Sequence, residues 1–408
     1  MPVKYDCDNG DEMKVNLMAG KRDICLSGRV LTPAGIRSHA VIVVKKGIIE
    51  KVEDRFVYGG LIDLDVGDSL IAPGFVDIHV HGGYGNDFMS GSVEEIAKAL
   101  HFHAMHGTTS ILPTTVTASH ECTSSALQAI GQMIRIQKEG AEHDLHLSKG
   151  SDILGVHLEG PFINPGKAGG QALEWIRPFD MAEYEAWEQI VPIRMITLAP
   201  ELEGAEPFIR FVAVKPVLIS AGHTDAKLDD IHRSMKWGVQ HLTHFYNAMR
   251  SLHHREPGTI GAGLLQQELT VELIADGIHV HPDMLRLAYL TKGADRIALI
   301  TDASILCGLA DGVYKRGGRE IIVENGLIRL RDGTLKGSNL TMDRSAQMMI
   351  ELGVPIEDVW KMAAVNPARW IGKGSRKGAI KPGMDADLIV LDNHFNVIRT
   401  IVRGEIIF

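Results

Sequence analysis

The amino-acid sequence predicts an α/β protein: a (β/α)8 barrel with a small β-sandwich built from both ends of the chain. Three observations predict this fold. Short apolar runs alternate with helix-like stretches in the middle, β-rich segments occupy both ends, and metal-ligand side chains follow the apolar runs. With 408 residues, 45% of them hydrophobic, the chain can bury the core of a large barrel and of a smaller unit.

The predicted barrel occupies residues 73–377. Eight short apolar runs recur there, at residues 75–80, 110–114, 153–159, 194–200, 216–223, 239–244, 271–277 and 296–303. Most gaps between them hold a helix-like stretch, such as VEEIAKALHFHAMH after the first run. Apolar strands alternating with helices indicate a parallel sheet covered on both faces, and eight such units favour a closed barrel over an open sheet.

The two ends of the chain, residues 1–72 and 378–408, are interpreted as one β-sandwich domain. Both contain short β-rich pieces separated by turns, such as AVIVVKKGIIEKVED near the start and ADLIVLD near the end. Two unrelated β appendages are the alternative. Residues 1–20 are polar and predict an extension with little structure of its own.

Two further segments inside the predicted barrel have specific expectations. His101, His103 and His106 share one predicted helix and are interpreted as a partly exposed helix face. The stretch GLADGVYKRGGREIIVENGLIRLRDGTLKGS, which follows the last apolar run, predicts a β-hairpin over the site.

Charge and cysteine content exclude several classes of protein. The net charge is −9, which argues against nucleic acid or an anionic membrane as the main partner. The four cysteines are far apart and never form C-x-x-C, a pattern that suits a reducing cytosol. No apolar run resembles a signal peptide or a membrane span. A cytoplasmic protein is therefore expected.

Side chains that can bind metal fall at the carboxyl ends of six of the eight runs. They are His79 and His81, Glu159, His223, His244, the segment from Asp276 to His279, and Asp302. Functional groups of a (β/α)8 barrel lie at that edge, so these side chains are expected to meet. A single histidine there is more often structural, but five groups in register predict a metal centre. Imidazole and carboxylate ligands suit zinc, iron, manganese or cobalt.

Eight motifs in the predicted barrel carry a resemblance to a known family. They are PGFVDIHVHG (73–82), GVHLEGPF (155–162), SAGHTDA (220–226), THFYNAM (243–249), REPG (255–258), ADGIHVHP (275–282), LITDA (299–303) and GSNLTMD (337–343). In this order they resemble the N-acetylglucosamine-6-phosphate deacetylase family of the amidohydrolase superfamily. The resemblance implies a barrel with a terminal β-sandwich, usually a homodimer, and a place in amino-sugar catabolism or cell-wall recycling.

The resemblance also implies a role for each group of the metal centre. Principal metal ligands of the family match Glu159, His223 and His244, and its catalytic acid/base matches Asp302. Where His79 and His81 stand, some members hold a second metal, whereas others lack these histidines and use one. At least one divalent transition metal (Zn, Fe, Mn or Co) is therefore expected, and a second is a hypothesis.

Five residues match substrate-binding positions of the family. His279 matches a residue near the reacting group, and Asn247 and Ala248 match positions that approach the sugar phosphate. Arg255 matches a phosphate-binding arginine that can come from the neighbouring subunit. At Gln171 some members have a histidine that contacts the sugar, so the sugar preference is less well determined than the chemistry.

The expected reaction is hydrolysis of N-acetylglucosamine-6-phosphate to glucosamine-6-phosphate and acetate, with this small amino-sugar phosphate as the partner. A deacetylase for N-acetylgalactosamine-6-phosphate shares most of the motifs and is the main alternative. The motifs disfavour a different amidohydrolase activity, and the complete ligand set disfavours a non-catalytic binding barrel.

Overall fold

The computed structural model describes residues 23–139, 147–316 and 319–408, and over these ranges the chain is an α/β protein. The extension predicted for residues 1–20 lies outside the described residues. Within the described ranges, no helix combines the length and the apolar character that crossing a lipid bilayer requires.

The strands follow in chain order. They are β1 (Ile24–Thr32), β2 (Gly35–Lys45), β3 (Ile48–Asp54), β4 (Leu64–Pro73), β5 (Phe75–Val80), β6 (Gly82–Gly83), β7 (Asn86–Asp87), β8 (Thr108–Pro113), β9 (Asp152–Ile153), β10 (Val156–Glu159), β11 (Ile193–Leu198), β12 (Leu218–Ala221), β13 (His241–Leu242), β14 (Thr270–Ile274), β15 (Ile297–Ile300), β16 (Gly312–Arg316), β17 (Arg319–Glu324), β18 (Leu327–Leu330), β19 (Leu388–Leu391), β20 (Val397–Val402) and β21 (Glu405–Ile406).

The helices lie mainly between the parallel strands. They are α1 (Val93–Met105), α2 (His120–Glu139), α3 (Met181–Ile190), α4 (Ala205–Ala213), α5 (Leu228–Trp237), α6 (Gly258–Leu265), α7 (Pro282–Lys292), α8 (Met342–Glu351), α9 (Ile356–Trp360) and α10 (Asn366–Trp370), with a π-helical turn at Lys361–Val365 and 3-10 turns at Pro165–Lys167, Leu173–Trp175 and Ala294–Arg296.

One seven-stranded sheet contains strands from both ends of the chain, in the order β21-β20-β19-β4-β1-β2-β3. β4 connects the two ends, because it pairs in parallel with β1 and antiparallel with β19. Alternate residues of these strands, such as Leu26, Ile42 and Leu388, are buried in one apolar cluster. The division into domains at residues 72 and 378 stays a prediction.

Each of the eight apolar runs in the middle contains a strand, and the α/β class is confirmed. Strands β10 to β15 form a six-stranded parallel sheet in chain order, and β5, β8 and β9 form a second parallel sheet. Isolated parallel bridges join the two sheets, from Thr114 to His157 and from Val80 to Ala303. The carboxyl ends of all these strands therefore lie along a common edge.

The predicted run 153–159 is not one continuous strand. Leu154 and Gly155 lie between β9 and β10, and Gly155 adopts a positive φ of 146°. A Cβ at this position would lie 2.4 Å from Arg194 Cγ, so a larger residue would force the two chain segments apart.

The helix expected at VEEIAKALHFHAMH is α1, and Ser92 caps it by accepting a hydrogen bond from the Glu95 amide. Its histidines differ in environment. His101 is exposed, but His103 is fully buried and its Nε2 lies 2.9 Å from the Gly82 carbonyl oxygen. The expected partly exposed face is therefore wrong for His103. Burial lowers the pKa of this ring to about 4, so it is neutral and holds the chain after β5.

The insertion after β15 forms a three-stranded antiparallel sheet, β16-β17-β18, rather than a single hairpin. Its second turn, at Asn325 and Gly326, has positive φ at both residues, which favours a tight return of the chain. The third strand leads directly into Thr334–Gly337, which reaches the edge where the parallel strands end.

Lys377 is a buried ammonium that connects the terminal sheet to the parallel strands. Its Nζ lies 2.7 Å from both Asp387 Oδ2 and Asp152 Oδ2, and 3.1 Å from Asp385 Oδ2. Burial alone would lower the pKa of Lys377, but the ion pairs with Asp387 and Asp152 outweigh it and raise the pKa above its ordinary value. The ammonium thus compensates three carboxylates at one junction.

Replacing Lys377 with methionine is expected to lower the free energy of unfolding by about 3–5 kcal/mol, because it leaves buried carboxylates without their cation. Denaturant unfolding of the purified protein measures the change. Lys381→Met, at an exposed lysine of the same segment, is the control and should leave stability nearly unchanged. Equal effects of the two substitutions would contradict this role for Lys377.

Candidate active site

Four predicted site residues stand at the carboxyl ends of parallel strands. Glu159 is the last residue of β10, and His223, His244 and Asp302 each follow two residues after a strand, β12, β13 and β15. Because these strands are parallel and adjacent, the four side chains emerge at the same edge.

The backbone turns sharply at three of these positions. His223, His244 and Asp302 have positive φ values of 48°, 32° and 46°. Non-glycine residues rarely adopt this conformation, which costs of order 1–3 kcal/mol each. The positive φ at each position turns the side chain towards the strand ends. The convergence of these groups is therefore accompanied by backbone strain.

Glu159, His223 and His244 converge on one point. Glu159 Oε1 lies 3.1 Å from His223 Nε2 and 3.1 Å from His244 Nε2, and the two ring nitrogens are also 3.1 Å apart. All three side chains are buried. His223 Nδ1 lies 2.8 Å from the Lys167 carbonyl oxygen, to which it can donate, and this leaves a lone pair on Nε2 facing the cluster.

His79 and His81 extend the same cluster. His79 Nε2 lies 3.4 Å from Glu159 Oε1, and His81 Nε2 lies 3.4 Å from Glu159 Oε2. Asp302 Oδ1 is 3.2 Å from His81 Nε2 and 3.8 Å from His79 Nε2. The structure therefore brings together all six groups predicted for the metal centre and its acid/base.

Both carboxylates of the cluster are held in their charged form. Burial alone would raise the pKa of the Glu159 carboxyl, but the His79 and His223 rings hold it well below its ordinary value. Burial likewise opposes ionisation of Asp302, yet the His79 and His81 rings keep its pKa below the ordinary range. An ionised Asp302 can accept a proton.

The cluster fits a divalent metal ion. Ligand atoms about 2.1 Å from a tetrahedral centre lie roughly 3.4 Å apart, close to the separations among Glu159, His223 and His244. Within the described residues, His79 Nε2 is buried and has no hydrogen-bond partner, although Glu159 lies beside it. Ring nitrogens facing one another and a shared carboxylate oxygen are satisfied by a cation among them.

A cavity of about 520 Å³ opens onto this cluster, a volume suited to a small metabolite. Nine of the eleven predicted site residues line it, namely His81, Glu159, Gln171, His223, His244, Asn247, Ala248, His279 and Asp302. His79 lies fully buried behind the wall, and Arg255 lies elsewhere.

Gln171 contacts the metal cluster as well as the cavity. Its Nε2 donates to Glu159 Oε2 at 2.7 Å, and its Oε1 accepts from the Thr117 amide at 2.7 Å. The side-chain amide thereby fixes the orientation of the Glu159 carboxylate, a contact that the sequence did not suggest.

His279 is oriented by Asp276, whose Oδ2 lies 2.6 Å from His279 Nδ1. Burial lowers the pKa of His279, but the hydrogen bond with Asp276 outweighs it and raises the pKa above its ordinary value. With Nδ1 donating to Asp276, the other ring nitrogen is left for a group in the cavity.

Arg255 does not line the cavity in the described part of the chain. It lies in an exposed loop between β13 and α6, and its Nη1 is 3.0 Å from the neighbouring His254 Nε2. A phosphate contact through Arg255 is therefore not formed within one chain in this conformation.

Sequence reasoning missed three charged residues. Lys167 and Lys336 line the cavity; Lys167 Nζ donates to the Met249 carbonyl and Lys336 Nζ to the Gly170 carbonyl. Lys167 ends the 3-10 turn Pro165–Lys167, and Lys336 lies in the loop after β18; neither follows an apolar run. Glu272 is buried behind the histidines, and a charged residue within the apolar run VELIADG was a signal that could have found it.

A parallel α/β fold with histidines and carboxylates gathered where its strands end is the arrangement of a metal-dependent hydrolase. The sequence matches the amidohydrolase family over residues 70–407. The chain belongs to this family.

The names of individual relatives state a more specific reaction. The chain is 42% identical to an N-acetylglucosamine-6-phosphate deacetylase of Bacillus subtilis (strain 168), covering 84% of this chain and 85% of the relative. It is 35% identical to an N-acetylgalactosamine-6-phosphate deacetylase of Escherichia coli O157:H7, covering 93% and 97%.

Among solved structures, a mutant of N-acetyl-D-glucosamine-6-phosphate deacetylase from Mycobacterium smegmatis, in complex with N-acetyl-D-glucosamine-6-phosphate, is similar with a TM-score of 0.85. It is 31% identical in sequence and covers 94% of this chain and 99% of its own.

Replacing His223 with asparagine is expected to reduce the bound transition metal at least about tenfold, because it removes a ring nitrogen from the cluster. Elemental analysis of protein purified without added metal measures the change. The control is His103→Asn, at a buried histidine bonded to Gly82 outside the cavity. Unchanged metal content in the His223 variant would show that the ion binds elsewhere.

Proposed function

We propose that the chain hydrolyses N-acetylglucosamine-6-phosphate to glucosamine-6-phosphate and acetate. The observation that carries this proposal is the convergence of Glu159, His223 and His244 beside Asp302 at the floor of one cavity. The 42% identity to a deacetylase of this substrate supports the choice among amidohydrolase reactions.

We propose further that the two parallel sheets close into one (β/α)8 barrel. The bridges Thr114–His157 and Val80–Ala303 support closure, because they lie at the two places where the sheets are otherwise interrupted. For the terminal domain, residues 1–72 and 378–408, a β-sandwich is supported by bulges in β1 and β2 and by apolar clusters on both faces of the sheet.

In this proposal Glu159, His223 and His244 hold one divalent transition metal ion, and His79 and His81 with Glu159 complete a site for a second. When bound, such an ion lowers the pKa of a coordinated water from about 15.7 towards 7 and polarises a carbonyl group. The ligand set suits zinc, iron, manganese and cobalt alike, so supply in the cell decides among them.

Asp302 is proposed as the general base and then the general acid. Its carboxylate is ionised and faces the cavity next to His81, so it can accept a proton from the attacking water. The same oxygen can return this proton to the sugar nitrogen as the amide C–N bond breaks. Without that proton the amine would be a poor leaving group.

The cavity walls are proposed to position the substrate. His279, held by Asp276, can donate from Nε2 to the acetyl group near the reacting carbon. Asn247 and Ala248 lie on the cavity wall in THFYNAM and are assigned to the phosphate end of the sugar.

We assign Gln171 to contact the sugar of the substrate. This assignment does not exclude N-acetylgalactosamine-6-phosphate as a second substrate. The Gln171 amide already contacts Glu159, and it cannot carry charge, unlike the histidine that some members of the family have at this position. Together with the 35% identity to a deacetylase of N-acetylgalactosamine-6-phosphate, this favours that epimer as the alternative substrate.

Arg255 is proposed to bind the phosphate in the cavity of a second copy of the chain. Its guanidinium is exposed and outside its own cavity, as a residue that acts across a dimer interface would be. The planar guanidinium can meet two phosphate oxygens at once, which explains why arginine suits this position. A homodimer is part of this proposal.

We expect kcat/KM for acetate release to be highest with N-acetylglucosamine-6-phosphate. The panel also contains N-acetylgalactosamine-6-phosphate and both unphosphorylated sugars. Asp302→Asn should lower kcat by about 10²–10⁴-fold, because it removes the proton acceptor while keeping the side-chain shape. Faster turnover of the galactose epimer would favour the alternative substrate, and no acetate from any compound would refute the reaction.

Arg255→Ala and Asp302→Asn subunits, co-expressed with different affinity tags and purified as mixed dimers, test the origin of the arginine. If Arg255 acts in the neighbouring cavity, one of the two sites is intact and about half of the normal activity returns. If Arg255 acts within its own chain, each site lacks an essential group and the mixed dimer stays as inactive as either parent.

A further inference from the structure

Glu272 is a fully buried carboxylate in the middle of β14, behind the histidines of the site. It does not line the cavity, so it cannot reach a substrate held there. A buried ionised group is costly unless polar partners compensate it. The polar partners of Glu272 therefore indicate its role.

One oxygen of Glu272 contacts two histidines of the proposed metal site. Oε2 lies 3.0 Å from His79 Nδ1 and accepts a hydrogen bond from the His244 backbone amide at 2.9 Å. The other oxygen, Oε1, lies 3.4 Å from His241 Nε2.

Because Oε2 already accepts the His244 amide, it is an acceptor for the His79 ring as well, and His79 Nδ1 carries the hydrogen between them. The lone pair of a neutral His79 is then on Nε2, which points towards Glu159 Oε1 at 3.4 Å without a hydrogen bond. Carboxylates that fix the tautomer of a metal-binding histidine in this way also orient the ring.

We propose that Glu272 is the positioning residue that makes His79 a metal ligand and, by accepting the His244 amide, holds the backbone at a second ligand. This inference rests on the proposed metal centre and deepens it. Glu272 has no contact with substrate and acts only through the two histidines.

The alternative is an ion bound by Glu272 itself, since His79, His157 and Glu272 form a buried group of metal-ligand type. His157 has no nitrogen to offer, because Nδ1 lies 3.1 Å from the Ile78 carbonyl and Nε2 lies 2.7 Å from Thr197 Oγ1. Glu272 therefore supports the metal site without being part of it.

Zinc binding to chelator-stripped protein, measured in competition with a chromophoric chelator, tests the proposal. The unchanged chain is expected to take up two equivalents. Glu272→Leu should weaken the second equivalent about 100-fold, and Glu272→Gln, which keeps an acceptor oxygen but loses the charge, about 10-fold. The first equivalent should weaken less, because His223 and Glu159 keep their own partners.

Asp343→Asn is the matched control. Asp343 is also a buried carboxylate paired with a histidine, His106, but it lies outside the cavity, so its substitution should leave zinc binding unchanged. If the leucine variant fails to fold, the glutamine variant still decides. Two equivalents bound as tightly as in the unchanged chain, or a single equivalent in the unchanged chain itself, would overturn the proposal. No substrate is used, so a failed acetate assay would not affect this result.

Discussion

The structure depends on one buried carboxylate, Glu159, placed among four imidazoles. Its two oxygens face ring nitrogens of His79, His81, His223 and His244, and Gln171 fixes its orientation. An anion buried this deeply needs a cation, either protons shared with the rings or a metal ion that replaces them. Much of the surrounding architecture serves to hold these buried groups together at the base of the cavity.

Parallel strands gather the side chains around Glu159, because each strand contributes one or two of them at the same edge. The strand interiors supply rigidity, and the residues just beyond them, such as His223 and Asp302, accept a positive φ that directs the side chains inward. Behind them lies a second set of buried polar groups: Glu272 contacts the His79 ring, and His157 is hydrogen-bonded to Thr197. Other residues that line the cavity, such as Asn247 and His279, lie in the loops beyond the strand ends.

The sequence predicted the strands and the six metal-centre groups because both leave local signals: short apolar runs, and polar residues immediately after them. Other features left no such signal. The left-handed backbone at His244, the break at Gly155 and the burial of His103 depend on contacts between segments distant in sequence. The exposed position of Arg255, outside the cavity, likewise has no local signal in the sequence.

We propose that Glu159, His223 and His244 surround one ion beside Asp302. Anomalous diffraction from crystals grown with a saturating transition metal tests it most directly. A peak is expected about 2.0–2.2 Å from Glu159 Oε1 and from Nε2 of both histidines. A saturated crystal whose anomalous peaks all lie away from these three atoms would contradict it.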